Sequence, residues 1–386
     1  MQEMPDSATQ RRLEIRFLGS GSEYFRIWIV NLLLTLVTAG LYWPFAKARR
    51  LRYFYGNTEV DGHALAFHGD PWRMFRGFLL MVALGGVYAV ASHATAWSGL
   101  IALAAAYALW PALWRSSMRF RMGQTSWRGL RFRFEGGLKD AYLALAPLYL
   151  PVLVMVALPL ALGLDPKTME EGGVDKALVN QYLIGTGLCT ALLLLLTPWC
   201  LSLIKRYQHQ GYALAQERCD FNVRTRSWYW LSAKALGLVL LIMAAAGGVL
   251  FLLVSQIGGG EATKFLAAAA FMGVFYALLF VVLMPFWVVR QHNLVWGGTH
   301  SPSLQFSSTL PLGRYLGLTL KNTLLTVITL GLYRPFAAVA ASRMRLESVS
   351  LAMSGDIETW VTQQSTQQDA AAADFAGDFF GIDMGL

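Results

Sequence analysis

Six apolar runs constrain this chain more than any other feature. They lie near 74–94, 97–114, 142–163, 178–203, 235–256 and 265–289. Each approaches or exceeds the roughly 20 residues a helix needs to cross a bilayer. Lipid offers the backbone no hydrogen bonds, so spanning segments are helices or closed barrels, and runs this long and apolar are helices. At 386 residues, 55% hydrophobic and 14% charged, the chain is too apolar for an ordinary soluble protein. No secretory leader is expected, because residues 1–25 are polar and basic and no small-residue cleavage pattern follows the first apolar run. Cys189, Cys200 and Cys219 have no short metal-binding spacing and read as small buried apolar residues.

The second constraint is an internal duplication. Asn31–Ala46 (NLLLTLVTAGLYWPFA) returns as Asn322–Ala337 (NTLLTVITLGLYRPFA), with eleven of sixteen positions identical and no gap. A shorter unit repeats as well. Arg52–Gly69 matches Arg119–Gly136 through Gly56/Gly123, Thr58/Thr125, Gly62/Gly129 and Phe67/Phe134. Its alternating residues and turn glycines predict β-hairpins. Weaker copies follow Pro198, Pro285 and Pro335, so one unit recurs about five times: apolar helix, proline, Arg/Lys, short strands, aromatic, next helix. A lone hairpin is marginal in water, so these strands are expected to pair into a small cytoplasmic sheet.

Charge placement gives the topology. The loops near 92–98, 164–177 and 257–264 hold only Lys167, Lys176 and Lys264 of 32 basic residues. The rest lie at the tails, in the hairpins or at helix ends, so the hairpins should face the cytoplasm. The +9 net charge is therefore read as topogenic, not as a nucleic-acid footprint. Six spans pair off, and the duplicated stretches 26–46 and 317–337 are left over, each basic at both ends. Both are expected to be broken or re-entrant helices turning at Thr-x-x-Thr-x-Gly, with both termini cytoplasmic; the alternative is eight complete spans. The expected organisation is a tail with a short strand at 1–25, a repeat-built membrane domain at 26–355, and an acidic tail without structure at 356–386.

The pattern Phe17-x-Gly19, Asn31-x-x-x-Thr35-x-x-Thr38-x-Gly40-x-Tyr42-x-Pro44, and Gly56-Asn57-Thr58 with Gly62 and Phe67-x-Gly69 resembles the YjgN-like family of bacterial inner-membrane proteins. The resemblance covers roughly residues 13–355. It implies a multi-pass protein of the bacterial inner membrane, in a family without an assigned function and without catalytic residues to carry over. It also implies a membrane-associated zinc metallopeptidase as a partner.

Polar residues within apolar helices are costly and tend to matter. Asn31, Thr35 and Thr38 share one helix face and, with Gly40, repeat as Asn322, Thr326, Thr329 and Gly331, with Lys321 beside the second set. Broken helices at corresponding positions of a duplicated protein suit a solute path; the same residues suit close helix packing. Lys47, Arg49, Arg50, Arg52, Arg115, Arg119 and Arg121 fall at headgroup level, where anionic lipid is the expected contact. No metal site, cofactor loop or catalytic arrangement is expected. His63 and His68, an odd number of residues apart, would face opposite sides of a strand. The sequence thus predicts an all-α polytopic protein and a non-enzyme. It acts as a scaffold or regulator of a membrane partner, or as a transporter with a polar path at the Asn/Thr/Gly helices.

Overall fold

The computed structural model describes residues 10–164, 176–257 and 260–368. Its helices and strands alternate in the repeated order the sequence suggests. A strand β1 (Gln10–Phe17) precedes helices α1 (Gly21–Val37) and α2 (Trp43–Gly56) and strands β2 (Thr58–Val60) and β3 (His63–Phe67). Helices α3 (Pro71–Ala94) and α4 (Ala96–Gly123) lead to β4 (Thr125–Trp127) and β5 (Leu130–Phe134). Helices α5 (Leu138–Ala161) and α6 (Lys176–Gln210) lead to β6 (Tyr212–Leu214), β7 (Glu217–Arg218) and β8 (Asp220–Phe221). Then come α7 (Thr225–Ile257), α8 (Glu261–Leu278), a π-helical turn at Leu279–Leu283, α9 (Met284–Gly297), β9 (Thr299–His300) and β10 (Leu304–Ser308). The chain closes with α10 (Leu312–Ile328), α11 (Arg334–Glu347), β11 (Val349–Ser354) and a last helix α12 at 357–368.

Among the described residues six helices are long and apolar enough to cross a membrane: Pro71–Ala94, Trp97–Gly123, Leu138–Ala161, Lys176–Gln210, Thr225–Leu252 and Ala262–Gly297. They coincide with the six apolar runs. Little of their apolar surface is covered by the protein itself, with Val90, Leu194 and Phe251 bare. Surface of that kind requires a lipid solvent. Capping explains the tight α3–α4 turn. Thr95 ends α3 and caps α4, its hydroxyl accepting from the Ser98 N–H at 3.0 Å while Ser98 Oγ accepts from the Thr95 N–H at 3.1 Å. The π-turn directly precedes Pro285, whose ring lacks the N–H of a regular turn and crowds the carbonyl four residues back.

The repeat has a fixed metric. Pro44, Pro111, Pro198, Pro285 and Pro335 are all buried. Each lies fourteen residues before the first residue of a strand: Thr58, Thr125, Tyr212, Thr299 and Val349. The helix between proline and strand is a neck of constant length, on the order of 20 Å at 1.5 Å per residue.

The chain divides into two units. One comprises the residues up to Val30, Asn57–His63 and Asn222–Gly355. Its strands pair antiparallel in the order β2–β1–β11–β10–β9, with Ile15 opposite Val60, Leu13 opposite Leu351, Phe306 opposite Leu351, and Gln305 opposite His300. Buried Leu13, Phe17, Leu351 and Met353 line the inner face of these strands. Among the described residues the fifth repeat has no second strand of its own. β1, from the other end of the chain, pairs with β11 and takes that place. The other unit comprises Asn31–Gly56, Ala64–Phe221 and the residues from Asp356. Its strands run β3–β4–β5–β6–β7, with Leu65 opposite Trp127, Ser126 opposite Arg131, and Phe132 opposite Leu214. Arg128 and Gly129 turn β4 into β5 with positive φ at both, the two-residue turn whose twist suits a hairpin.

The mostly helical expectation thus holds, and the short strands expected to pair with one another do so, in antiparallel order. The tail expected to lack structure from 356 is helical over 357–368. Its apolar residues Ile357 and Trp360 are buried, which repays ordering an otherwise polar segment. The acidic–aromatic run from Asp374 lies outside the described residues.

Candidate functional site

The duplicated stretches are helical hairpins. α1 stops at Val37, five residues turn, and α2 starts at Trp43; α10 stops at Ile328 and α11 starts at Arg334. α1 leaves β1 and α2 leads into β2, its hydrogen-bonded neighbour; α10 leaves β10 and α11 leads into β11, again its neighbour. Each hairpin therefore begins and ends on paired strands.

The repeated polar residues build the turn. The Thr38 hydroxyl donates to the Leu34 carbonyl at 2.7 Å and accepts the Tyr42 N–H at 2.9 Å. Thr329 does the same with Leu325 at 2.7 Å and Tyr333 at 3.0 Å. The Gly40 N–H reaches back five residues to the Thr35 carbonyl at 2.7 Å, and Gly331 to Thr326 at 2.7 Å. That is the bond closing a Schellman turn, which needs left-handed backbone. Ala39 and Gly40 have φ of 47° and 92°, and Leu330 and Gly331 have 50° and 94°. Nothing approaches a Cβ built on Gly40. The glycine is required by its backbone angle and not by crowding. Thr35 and Thr326 donate to the carbonyls of Asn31 and Asn322 at 2.7 and 2.6 Å.

Asn31 and Asn322 cross the hairpins. Their amide groups donate to the carbonyls of Ala46 and Ala337 at 3.4 and 3.5 Å, long bonds in a buried setting. The Oδ1 of each is buried with no partner among the described residues. Lys321 is exposed. The turns themselves are apolar outside: Val37 is 84% exposed and Leu330 94%, with Leu41, Trp43 and Leu332 also bare.

The basic residues of the necks divide into two groups. Some hold strand ends: Arg52 donates to the Gly69 carbonyl at 3.1 Å, Arg115 to Gly136 at 2.7 Å, and Arg343 to Gly19 at 2.8 Å. Asn293, eight residues after Pro285 as Arg52 and Arg343 are after theirs, donates to Leu310 at 3.0 Å. The motif glycines fit this role, since a Cβ on Gly69 or Gly136 would strike the ring of Phe67 or Phe134. Others lie over aromatic rings: Lys47 on Trp43 at 5.1 Å, Arg49 on Tyr42 at 5.6 Å and Arg50 on Phe54 at 5.8 Å. Arg119 is exposed, and Arg121 is half-buried. Arg343 was not singled out by the sequence as a site residue. Its signal was its distance from Pro335, which equals that of Arg52 from Pro44.

Residues 12–379 match the family described as "Bacterial protein of unknown function (DUF898)". The chain belongs to that family. It is 29% identical over 165 residues to an inner membrane protein YjgN of Salmonella typhimurium strain LT2, covering 42% of this chain and 41% of the relative. It is 27% identical over 171 residues to inner membrane protein YjgN of Escherichia coli O157:H7, covering 44% and 42%, and 26% identical over 171 residues to that of Escherichia coli K12. The match thus spans about two fifths of each relative's length. No solved structure matches.

Within this DUF898 chain, other chemistry-bearing residues are engaged structurally. His68 bonds the Ser126 hydroxyl at 2.9 Å, His63 the Asp61 carbonyl at 2.9 Å, and His292 the Ser308 hydroxyl at 3.0 Å. Among the described residues no three His, Cys, Asp or Glu side chains gather as metal ligands. Burial, then the nearby Glu217 carboxylate, push the Cys219 thiol up to about 11, away from nucleophile chemistry at neutral pH.

Proposed function

We propose that this protein is a non-catalytic scaffold or regulator of a membrane partner in the bacterial inner membrane. The observation that carries this reading is the use made of the duplicated polar residues. The threonine hydroxyls and asparagine amides are spent on carbonyls and N–H groups of their own hairpins. A solute path needs polar groups facing an opening. These face their own backbone, as membrane-embedded turns require.

In this reading the two hairpins are re-entrant. They enter from the strand side and turn with bare apolar tips in the lipid. Six spans, an even number, then leave both termini on the strand side. The concentration of basic residues there supports the cytoplasm, and the names of the relatives support the inner membrane. The paired strands are the surface offered to a partner, for which the family resemblance suggests a membrane-associated zinc metallopeptidase.

Photo-crosslinking from His63 and Gln305, both exposed on strands, in native membranes tests this. The expected product is a stoichiometric adduct with a membrane-bound zinc metallopeptidase. Membranes yielding no stoichiometric adduct from either site would sink the scaffold reading. Asn31→Leu with Asn322→Leu is expected to leave the adduct unchanged; loss of a solute flux from that folded variant would favour transport.

A further inference from the structure

The second unit holds a cavity of about 470 Å³, within the size range of small-ligand sites. It lies where the strands meet two apolar helices. The turn from β5 into α5 forms one wall, and the end of α6 with β7 forms another. Hydrogen bonds pin these walls together: the Tyr207 hydroxyl donates to the Gly137 carbonyl at 3.2 Å, and the Glu135 N–H to the Gly211 carbonyl at 2.8 Å. Three glycines line the cavity as bare backbone. A Cβ on Gly136 or Gly211 would strike the Phe134 ring, and one on Gly137 would come within 2.5 Å of Asp140 Oδ2. The Asp140 carboxylate thus lies over Gly137, at the cavity wall.

Both signs of charge line it. Glu135 and Arg218 pair with each other, whereas Asp140 and Arg206 do not meet. Neither side chain makes an ion pair or a hydrogen bond among the described residues. The repeat shows that Arg206 is spared a structural task. It stands eight residues after Pro198, the position from which Arg52, Asn293 and Arg343 hold strand-end carbonyls. In the second neck, where Arg119 occupies that position, Arg115 takes the Gly136 carbonyl instead. The free guanidinium of the third neck faces a cavity. An unmet arginine and an unmet carboxylate in one cavity suit a ligand that carries both signs on a short spacer. The guanidinium fork matches a phosphate, and the carboxylate accepts the N–H groups of a primary ammonium. Leu143 and Leu203 continue the lining onto the α5 and α6 spans, along which an acyl chain would lie.

We propose that this cavity holds a phosphoethanolamine group, its phosphate on Arg206 and its primary ammonium on Asp140. The site goes beyond the scaffold reading and stands or falls separately from it. Two sources present this group: the headgroup of phosphatidylethanolamine and free phosphoethanolamine. Phosphatidylcholine carries the same two charges, but its quaternary ammonium has no N–H to give Asp140. Phosphatidylglycerol carries the phosphate alone and leaves the carboxylate unmet.

The experiment uses the full chain in nanodiscs of phosphatidylcholine, alone or mixed with phosphatidylethanolamine or phosphatidylglycerol. Native mass spectrometry reads the retained lipid, and thermal unfolding reads stabilisation. Arg206→Gln and Asp140→Asn are compared with Arg226→Gln, a charge loss at an exposed arginine in the first turn of another span. For a headgroup site, the parent protein retains phosphatidylethanolamine over both other lipids by about tenfold, the effect of losing a charge-assisted bond. Arg206→Gln lowers retention of phosphatidylethanolamine and phosphatidylglycerol alike. Asp140→Asn instead narrows the preference between those two, because it removes the ammonium's partner and the repulsion of an anionic headgroup together. Arg226→Gln changes neither. For the free compound, millimolar phosphoethanolamine in phosphatidylcholine nanodiscs raises the unfolding temperature of the parent protein and not of Arg206→Gln or Asp140→Asn. Retention of phosphatidylglycerol or phosphatidylcholine equal to that of phosphatidylethanolamine, without stabilisation by the free compound, overturns the proposal. So does an equal effect of Arg206→Gln and Arg226→Gln. Asp140→Asn is isosteric at an exposed position, so it keeps the test decisive if Arg206→Gln does not fold: an unchanged lipid preference and unchanged stabilisation there also overturn the proposal.

Discussion

Thr38 and Thr329 are the side chains on which each hairpin turn most depends. Each hydroxyl both donates and accepts across the point where the helix stops, so the turn's last backbone N–H has a partner inside the protein. Removing the oxygen strands the Tyr42 or Tyr333 N–H. Thr38→Val and Thr329→Val are each expected to cost about 1–2 kcal/mol, the range of a lost cap or buried bond. Thr35→Val should cost less, because its hydroxyl only back-bonds to a carbonyl already used in the helix. Thermal unfolding in one detergent checks this; equal small shifts at all three positions would contradict the cap. The Asn–Thr–Thr–Gly spacing was legible in the sequence, because Asn, Thr and Thr share one helix face and the whole pattern occurs twice. The targets were not legible. Spacing places the Asn31 amide on a face but does not say that the facing group is the Ala46 carbonyl.

At the scale of elements, local signals were read well and distant ones were not. The six long helices follow from apolar length, and the necks from the proline positions. The pairing of β1 with β11 joins residues more than 330 apart, such as Arg12 and Ser350. No periodicity in either strand announces its partner. Helix α12 was missed because it carries few apolar residues and many Gln and Thr. Its hold on the second unit is specific nonetheless. Asp356 caps it through the Thr359 N–H at 2.9 Å, and the Trp360 indole donates to Glu217 at 2.9 Å. Gln364 and Gln368 accept the backbone N–H groups of Gln216 and Arg131 at 3.1 and 3.2 Å. Gln216 lies in the turn between β6 and β7, and Arg131 lies in β5 opposite Ser126. Truncation after Gly355 removes two buried apolar side chains and exposes those amides. It should cost about 3 kcal/mol, in the range of losing one large core residue. Hydrogen exchange is the sharper measurement: Gln216 and Arg131 should lose protection in the truncated chain while β10 and β11 keep theirs. Unchanged protection would mean that α12 contributes nothing to the strands.

For the whole molecule, the proposed topology rests on parity. Counting basic residues leaves two apolar stretches over after six spans are paired, and this residue count alone favours hairpins over crossings. The strand pairing adds an independent constraint: β1 precedes α1, β2 follows α2, and the two are hydrogen-bonded along Ile15–Phe17 and Thr58–Val60. Strands separated by a bilayer cannot pair, which supports the proposal that α1 and α2 together make no net crossing. The same holds for α10 and α11 between β10 and β11. Single cysteines at Arg12, His63 and Gln305, all exposed, should therefore behave alike in intact cells and react with an impermeant maleimide only after permeabilisation. A cysteine at Trp97, in the first turn of α4, should react from outside without it. In the proposed arrangement the positive-inside distribution supports which side is which, and the pairing supports the three strand positions sharing a side. Inversion of all four results would reverse the orientation and leave the hairpins intact. Labelling of Arg12→Cys from the side opposite His63→Cys would instead make α1 a crossing helix, and the eight-span arrangement would replace the one argued for.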